Sequence, residues 1–248
     1  MTTMNEWDLS SGPPEFLEML WLHEIAVFVC WSGWLLNYIL TVRAVLRDRI
    51  SGVFLLPLCN NLAWEVAFTI FHQAPSRAGT VTYTLWMLID IYMVYLSVKF
   101  APKATDAHTH PLGNYLPAVA FVVFLACLLG HLALIVDLGL TKAFFWSAWV
   151  DQVTLSTSGL VLLIQRGHTR GTSWGMWLSR IIGTSCVVIA MVIRTVYWPA
   201  AWGWADRVLM KWFVGVYVVT DISYGFVYWY ISRWEARACA GVGQTKRE

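Results

Sequence analysis

Seven separate apolar stretches, each long enough to cross a hydrocarbon layer, constrain this 248-residue chain more than any other feature. A membrane-spanning helix takes about 20 predominantly apolar residues. The stretches run approximately over residues 19–42, 53–72, 80–100, 115–137, 142–165, 177–197 and 208–231. They use almost the whole chain, and the connections between them are short, as in a compact helical bundle. Composition agrees: 58% of residues are hydrophobic and 13% charged, against about 45–50% and about 25% in soluble domains. The pattern excludes disorder, a coiled coil and an ordinary cytosolic enzyme. The expectation is an all-α polytopic membrane protein, a seven-transmembrane-helix bundle over 19–231. It is flanked by an N-terminal segment, 1–18, and a tail, 232–248. A net charge of +2 is too small and too scattered for nucleic-acid binding.

Orientation follows from the Lys and Arg positions. With seven spans, twelve of these residues fall on one side, from Arg43, Arg47 and Arg49 to Arg233, Arg237, Lys246 and Arg247. Five fall on the other: Arg77, Lys142, Arg194, Arg207 and Lys211. The twelve are expected to face the cytosol, which puts the N-terminus outside or lumenal and the C-terminus in the cytosol. The first residues carry Glu6, Asp8, Glu15 and Glu18 and no Lys or Arg, so they do not read as a signal peptide. Pro57 and Pro117 fall just inside the second and fourth stretches, where a missing N–H costs least.

Most of the polar and aromatic outliers have a plain explanation. Trp21, Trp146, Trp174, Trp177, Trp198, Trp202, Trp204 and Trp234 lie near helix ends and read as interface anchors. Lys99, Arg180, Arg194 and Arg207 are near enough to ends to snorkel. The five cysteines are isolated, four of them in apolar stretches, and read as small core residues. His108 and His110 form an H-x-H in a Pro/Gly loop and read as solvated rather than metal-binding. The sequence contains no N-x-[ST] glycosylation site.

Intramembrane carboxylates are different, because an ionisable group at that depth is expensive and is a functional candidate by default. Glu65, Asp90, Asp151 and Asp221 fall in the second, third, fifth and seventh stretches. Asn61, Glu65, Phe68 and His72 recur at helical spacing on one face, with Asn61 one turn from the carboxyl. Counted at 1.5 Å per residue, Glu65 lies within roughly 6 Å of the midplane. Tyr217, Asp221, Tyr224 and Tyr228 form a second such face, one carboxyl in a row of phenols. Asp90 follows Trp86 by one turn, and Asp151 has Ser147, Thr154 and Ser158 beside it, which reads as structural hydrogen bonding. Such carboxyls also serve as neutral glue between helices, worth about 1 kcal/mol each. Glue does not call for a row of tyrosines.

A carboxyl in apolar surroundings is desolvated, which favours its protonated form and lets it act as a general acid at neutral pH. Aromatic faces stabilise a cation without capturing it. Acid, aromatic walls and an apolar cavity together suit protonation of a lipophilic epoxide or alkene followed by carbocation cyclisation. The sequence has no D-D-x-x-D cluster, no N-S-E-type magnesium triad and no D-x-D-D run.

The segments N-N-L-A-W-E at 60–65, L-W-M-L-I-D at 85–90 and T-D-I-S-Y at 220–224 resemble the fungal integral-membrane terpene cyclases, the pyripyropene and paxilline type. The resemblance covers nearly the whole chain in length, helix count and motif order. It implies metal-independent cyclisation, without any cofactor, of an epoxidised prenyl chain attached to an aromatic, polyketide or indole core. It also implies an essential acidic pair, which falls on Glu65 and Asp221 here, with Asp90 as a further acidic position. Either member of the pair would protonate the terminal epoxide, and the resemblance does not say which. Asn61, Trp64, Phe68, Trp86, Tyr217 and Tyr224 are candidates for the cavity wall. The expected partners are a lipophilic prenylated substrate and membrane lipid, and the expected location is the endoplasmic reticulum membrane.

Two other classes compete. A retinal protein needs a Schiff-base lysine deep in the last helix, and Lys211 lies too near its outer end. A proton-coupled transporter would use Glu65, Asp90 and Asp221 as a relay. Transporters of that kind show broken helices in paired halves, and no such pairing is visible here.

Overall fold

The structure, a computed structural model, describes residues 8–72, 76–101 and 114–245. His108 and His110 lie outside the described residues. Among the described residues every regular element is helical, and there is no strand. The long helices are α1 (Pro14–Asp48), α2 (Leu55–Val66), α3 (Arg77–Lys99), α4 (Leu116–Leu138), α5 (Leu140–Arg166), α6 (Trp174–Tyr197) and α8 (Val208–Thr245), with a one-turn α7 (Pro199–Trp202) before the last. Five of them, α1, α3, α4, α5 and α6, are long and apolar enough to cross a membrane, and Leu55–Phe71 is a shorter apolar helix.

The ends follow local chemistry. Pro14 opens α1, where its missing N–H is an orphan anyway. Ser76 and Ser173 cap α3 and α6, their side chains accepting from Gly79 N and Met176 N. One residue, Gly139 at φ 79°, joins α4 to α5, a turn that a side chain would strain.

The second stretch departs from the regular helix that its sequence predicts. After Val66 the chain widens into a π-helical turn, Ala67–Phe71, closed by His72 N donating to Ala67 O at 3.0 Å. Such turns occur mostly as single widenings inside α-helices. The turn holds one residue more than a regular one, so His72 beyond it falls out of the helical register of Asn61 and Glu65.

The bundle is apolar outside and buries polar side chains among its hydrophobic core. Glu65, Asp90 and Asp221 are 0% exposed, whereas Phe28, Phe226, Val136 and Val208 are 68–84% exposed. In water so much exposed apolar surface would be an aggregation liability, whereas lipid is its natural surrounding, and many of the buried polar groups pair with one another within. Helices α1 and α6 touch backbone to backbone at Gly33 and Gly183. A Cβ on Gly33 would stand 2.9 Å from Ser179 O and 3.0 Å from the Gly183 Cα, the close approach that small residues permit in membranes.

Several tryptophans are not where the sequence suggests. Trp21, Trp174 and Trp234 are exposed, as interface anchors should be, but Trp198 and Trp202 are 2% and 0% exposed. The α7 turn folds them inward, where they pack with Phe16, Phe145 and Met191. That turn lies in a stretch that sequence reading treats as a connection, so its tryptophans read as anchors.

Candidate active site

Glu65 sits on the last regular turn of α2, facing α1 and α3. Tyr38 of α1 donates from its hydroxyl to Glu65 Oε1 at 2.8 Å, and Asn61 Nδ2 approaches the same oxygen at 3.3 Å. Asn61 Nδ2 also donates to Tyr38 Oη at 2.6 Å and to Asp90 Oδ2 at 2.9 Å. One amide thus ties together two carboxyls and a phenol from three helices. Asp151 is held by Asn60, whose Nδ2 donates to its Oδ1. Ser147 and Thr154 turn back to their own helix, donating to Ala143 O and Val150 O. Each of the three carboxyls keeps one buried oxygen without a partner: Glu65 Oε2, Asp90 Oδ1 and Asp151 Oδ2. No cation lies within 4.0 Å of any of them among the described residues.

Asp221 belongs to a different network. Arg180 of α6 donates to its Oδ1 from Nε at 2.8 Å and from Nη2 at 2.5 Å. Ser156 of α5 donates to Oδ2 at 2.5 Å. Behind Ser156 the line continues through Gln152 Nε2, which donates to Ser156 Oγ, and Thr184 Oγ1, which donates to Gln152 Oε1. Trp177 Nε1 donates to the Asp221 carbonyl at 2.8 Å, its ring laid against Gly225 where a Cβ would clash. The tyrosine row exists as a face of α8 but does not hydrogen-bond the carboxyl. Tyr217 donates to Ile181 O, and the Tyr224 ring lies 5.0 Å from the Arg180 guanidinium carbon. Arg180 therefore does not snorkel: Asp221, fully buried, holds it in the bundle.

Three adjoining cavities thread between these groups. The inner one, about 40 Å³, has Asn61, Asp90, Arg180 and Tyr224 in its wall. The middle one, about 130 Å³, is lined by Tyr38, Asn61, Trp64 and Trp86, with Gln152 and Thr184 opposite. The outer one, about 390 Å³, is lined by Trp31, Phe68, His72 and Arg194 among others. Inner and middle share Trp34, Tyr38, Asn61 and Leu155; middle and outer share Trp31, Tyr83, Phe144 and Phe145. The aromatic walls pack edge-on or tilted, as at Tyr38–Trp86 (6.0 Å) and Trp64–Phe144 (4.8 Å), the geometry that ring quadrupoles favour. Of the expected wall residues, only Tyr217 lines none of these three cavities.

The sequence pattern of the Pyr4-like transmembrane terpene cyclases matches residues 7–234. The chain belongs to that family. It is 48% identical to terpene cyclase esdpB of Penicillium shearii over 246 residues, 99% of this chain and 100% of the relative. It is 42% identical to terpene cyclase cle7 of Aspergillus versicolor, covering 93% of this chain and 96% of that one. With terpene cyclase penB of Penicillium crustosum the identity is 35%, over 94% and 95%. No solved structure matches it. The protein is accordingly an integral-membrane enzyme of terpenoid cyclisation, and the transporter reading finds no support.

In this cyclase the sequence-derived acidic residues divide. Glu65, Asn61 and Asp90 come together, whereas Asp221 stands across the inner cavity with Arg180. Residues that sequence reasoning passed over are Tyr38, Arg180 and the Thr184–Gln152–Ser156 line. Tyr38 follows Asn37 in an otherwise apolar run, W-L-L-N-Y-I-L, and that polar pair was the available signal. Arg180 lies six residues into α6, roughly 9 Å along the axis, deep enough to ask for a counter-ion.

Proposed function

We propose that this cyclase is metal-independent and acid-initiated, opening the terminal epoxide of a prenyl chain carried on an aromatic, polyketide or indole core. Glu65 is the proton source. The observation that carries this reading is the bond from Tyr38: of the three cation-free carboxyls with one unpartnered oxygen, Glu65 is the one that a hydroxyl in the cavity wall contacts, Tyr38 Oη at 2.8 Å, among the described residues. Asp221 has neither oxygen free, since Arg180 and Ser156 donate to both. Two carboxyls whose environments differ this much take different roles. Asp221 holds Arg180 in the wall of the inner cavity.

Glu65 does not itself reach the cavity; Tyr38 and Asn61 stand between. In the resting site the Tyr38 O–H points at Glu65 Oε1; for the transfer it turns to the epoxide oxygen, and Glu65, protonated on Oε1, donates to Tyr38 Oη as Tyr38 gives up its own proton. The epoxide C–O bond breaks toward the tertiary carbon, the oxygen becomes a hydroxyl, and the chain's alkenes attack in sequence. Loss of a proton, or capture by an oxygen of the substrate, ends the reaction, so the product is an isomer of the substrate. Trp34, Trp64, Tyr83 and Trp86 present ring faces and edges along the route, where a moving cation is stabilised without being trapped. Seven spans, with α2 and α8 added to the five above, put the N-terminus in the lumen of the endoplasmic reticulum and the C-terminus in the cytosol. The bundle 19–231 is the catalytic domain.

Microsomes carrying the wild type or Glu65→Gln, supplied with an epoxyfarnesyl arene, test this. The wild type yields an isomer of unchanged mass, and EDTA leaves the rate unchanged. Glu65→Gln, present at equal abundance, is slower by about a hundredfold or more, the lower range for loss of a general acid. Activity retained in Glu65→Gln would remove Glu65 from the mechanism.

A further inference from the structure

The outer cavity holds a cation that the cyclisation chemistry leaves unused. Arg194 of α6 is 8% exposed, and no carboxylate lies within 4.0 Å of it among the described residues. Its Nε donates to His23 Nε2 at 2.8 Å. An accepting Nε2 makes His23 a neutral imidazole with its proton on Nδ1, so His23 does not balance the charge. The guanidinium carbon lies 4.3 Å from the Trp202 ring centre and 5.5 Å from that of Phe145. These faces recover part of the lost hydration. Among the described residues neither Nη1 nor Nη2 donates to a partner, and both His23 and Arg194 line the cavity. Glu24, exposed at the rim of the same cavity, stays beyond ion-pair distance.

A buried guanidinium with no carboxylate beside it among the described residues is costly, and an anionic oxygen bound there would offset that cost. The cavity, about 390 Å³, falls within the range of small-molecule sites, about 300–1,000 Å³. Its walls include the flat rings of Trp31, Tyr83, Phe144 and Phe145. It shares those four with the middle cavity, which reaches Tyr38 and Asn61. A long substrate lying through both would have one end at Arg194 and the other at the proton donor.

We propose that Arg194, with His23 as its orienting partner, is the binding site for an acidic oxygen, an enolate or phenolate, on the planar head of the substrate. The prenyl tail then runs past Trp31 and Tyr83 to Tyr38. This rests on the proposed epoxide cyclisation for the tail, and it narrows the head from any aromatic or indole core to one bearing an acidic hydroxyl. A guanidinium presents paired donors to such an oxygen, and charge-assisted bonds of this kind are about twice as strong as neutral ones. An indole offers no oxygen and would leave the cation unpaired.

The test uses the full-length protein in detergent and three non-epoxidised probes: a farnesylated hydroxycoumarin, its O-methyl ether and farnesylindole. Binding is read by tryptophan fluorescence and thermal shift, so it does not depend on turnover. The wild type is expected to bind the free hydroxycoumarin about tenfold or more tighter than the ether or the indole. Arg194→Gln loses that preference while binding the ether as before, and Arg194→Lys keeps part of it. With the epoxidised hydroxycoumarin, Arg194→Gln raises KM and leaves kcat little changed. Equal wild-type affinity for all three probes would overturn the proposal, and that result needs no variant to fold. So would a Gln variant that weakens every probe alike. Selective binding without any cyclised product would leave this site standing and count against the epoxide reading instead.

Discussion

Glu65 and Asp221 are both fully buried carboxyls on membrane helices, and their neighbours alone make them different. Asp221 receives two guanidinium N–H groups and a hydroxyl; Glu65 receives a phenol and the edge of a shared amide. Removing one partner of a buried pair leaves an uncompensated charge and costs about 3–5 kcal/mol, whereas replacing both costs far less. Asp221→Asn is therefore expected to lower the thermal midpoint of the detergent-purified cyclase sharply. The double variant Asp221→Asn/Arg180→Gln is expected to recover much of that loss while cyclisation stays impaired, because Arg180 leaves the inner cavity wall. A double variant no more stable than the single one would refute the pairing argument. Half of this was legible beforehand. Asn61 and Glu65 are one turn apart on one helix, so spacing alone brings them together. The Arg180–Asp221 pair joins residues 41 positions apart on two helices; the depth of each asks for a partner, but nothing local to either says which one.

At the scale of elements, hydropathy locates the helices well, because lipid demands an unbroken apolar run and the runs are long. What it does not show is how one helix faces another. The π turn after Val66 leaves no mark in hydropathy, yet it shifts His72, which lines the outer cavity, out of register with Asn61, which lines the middle and inner ones. The α1–α6 contact is equally silent, since Gly33 and Gly183 read as neutral residues in apolar runs. That contact matters to the site: α1 carries Tyr38 and His23, and α6 carries Arg180 and Arg194. Gly33→Val should force the two backbones apart, at about 1–3 kcal/mol for overpacking. Gly130, on α4, has nothing within 4 Å of where its Cβ would lie, so Gly130→Ala should leave stability unchanged or raise it slightly. Thermal unfolding of both variants in one detergent measures the difference. Equal midpoints would mean that the helices are free to separate at no cost, contrary to the packing described here.

For the whole molecule, orientation decides which end of the cavity chain opens to which compartment. The basic residues on the two proposed faces number twelve and five, but the structure withdraws one from each, since Arg180 and Arg194 lie inside the bundle. The remaining eleven against four still favour a cytosolic face at the α1–α2 and α5–α6 turns and the C-terminal end. Those turns are also tied together there: Arg166 donates to Ser51 O, and Arg170 donates to Asp48 O at 3.0 Å. The absence of any native N-x-[ST] site makes the topology directly measurable, because glycan addition then reports only an introduced acceptor, and only in the lumen. An acceptor placed within residues 1–7 should be glycosylated in microsomes, and one placed within residues 241–248 should not. Seven spans require the two ends to differ. Glycosylation at both ends, or at neither, would mean an even number of crossings, and glycosylation of the C-terminal acceptor alone would invert the bundle. In the expected orientation Arg194 lies toward the lumenal end and Arg180 toward the cytosolic end, with Glu65 between them near the midplane. A substrate head held at Arg194 then keeps its polar oxygen close to the lumenal interface, while the tail reaches the acid in the dry centre of the bundle.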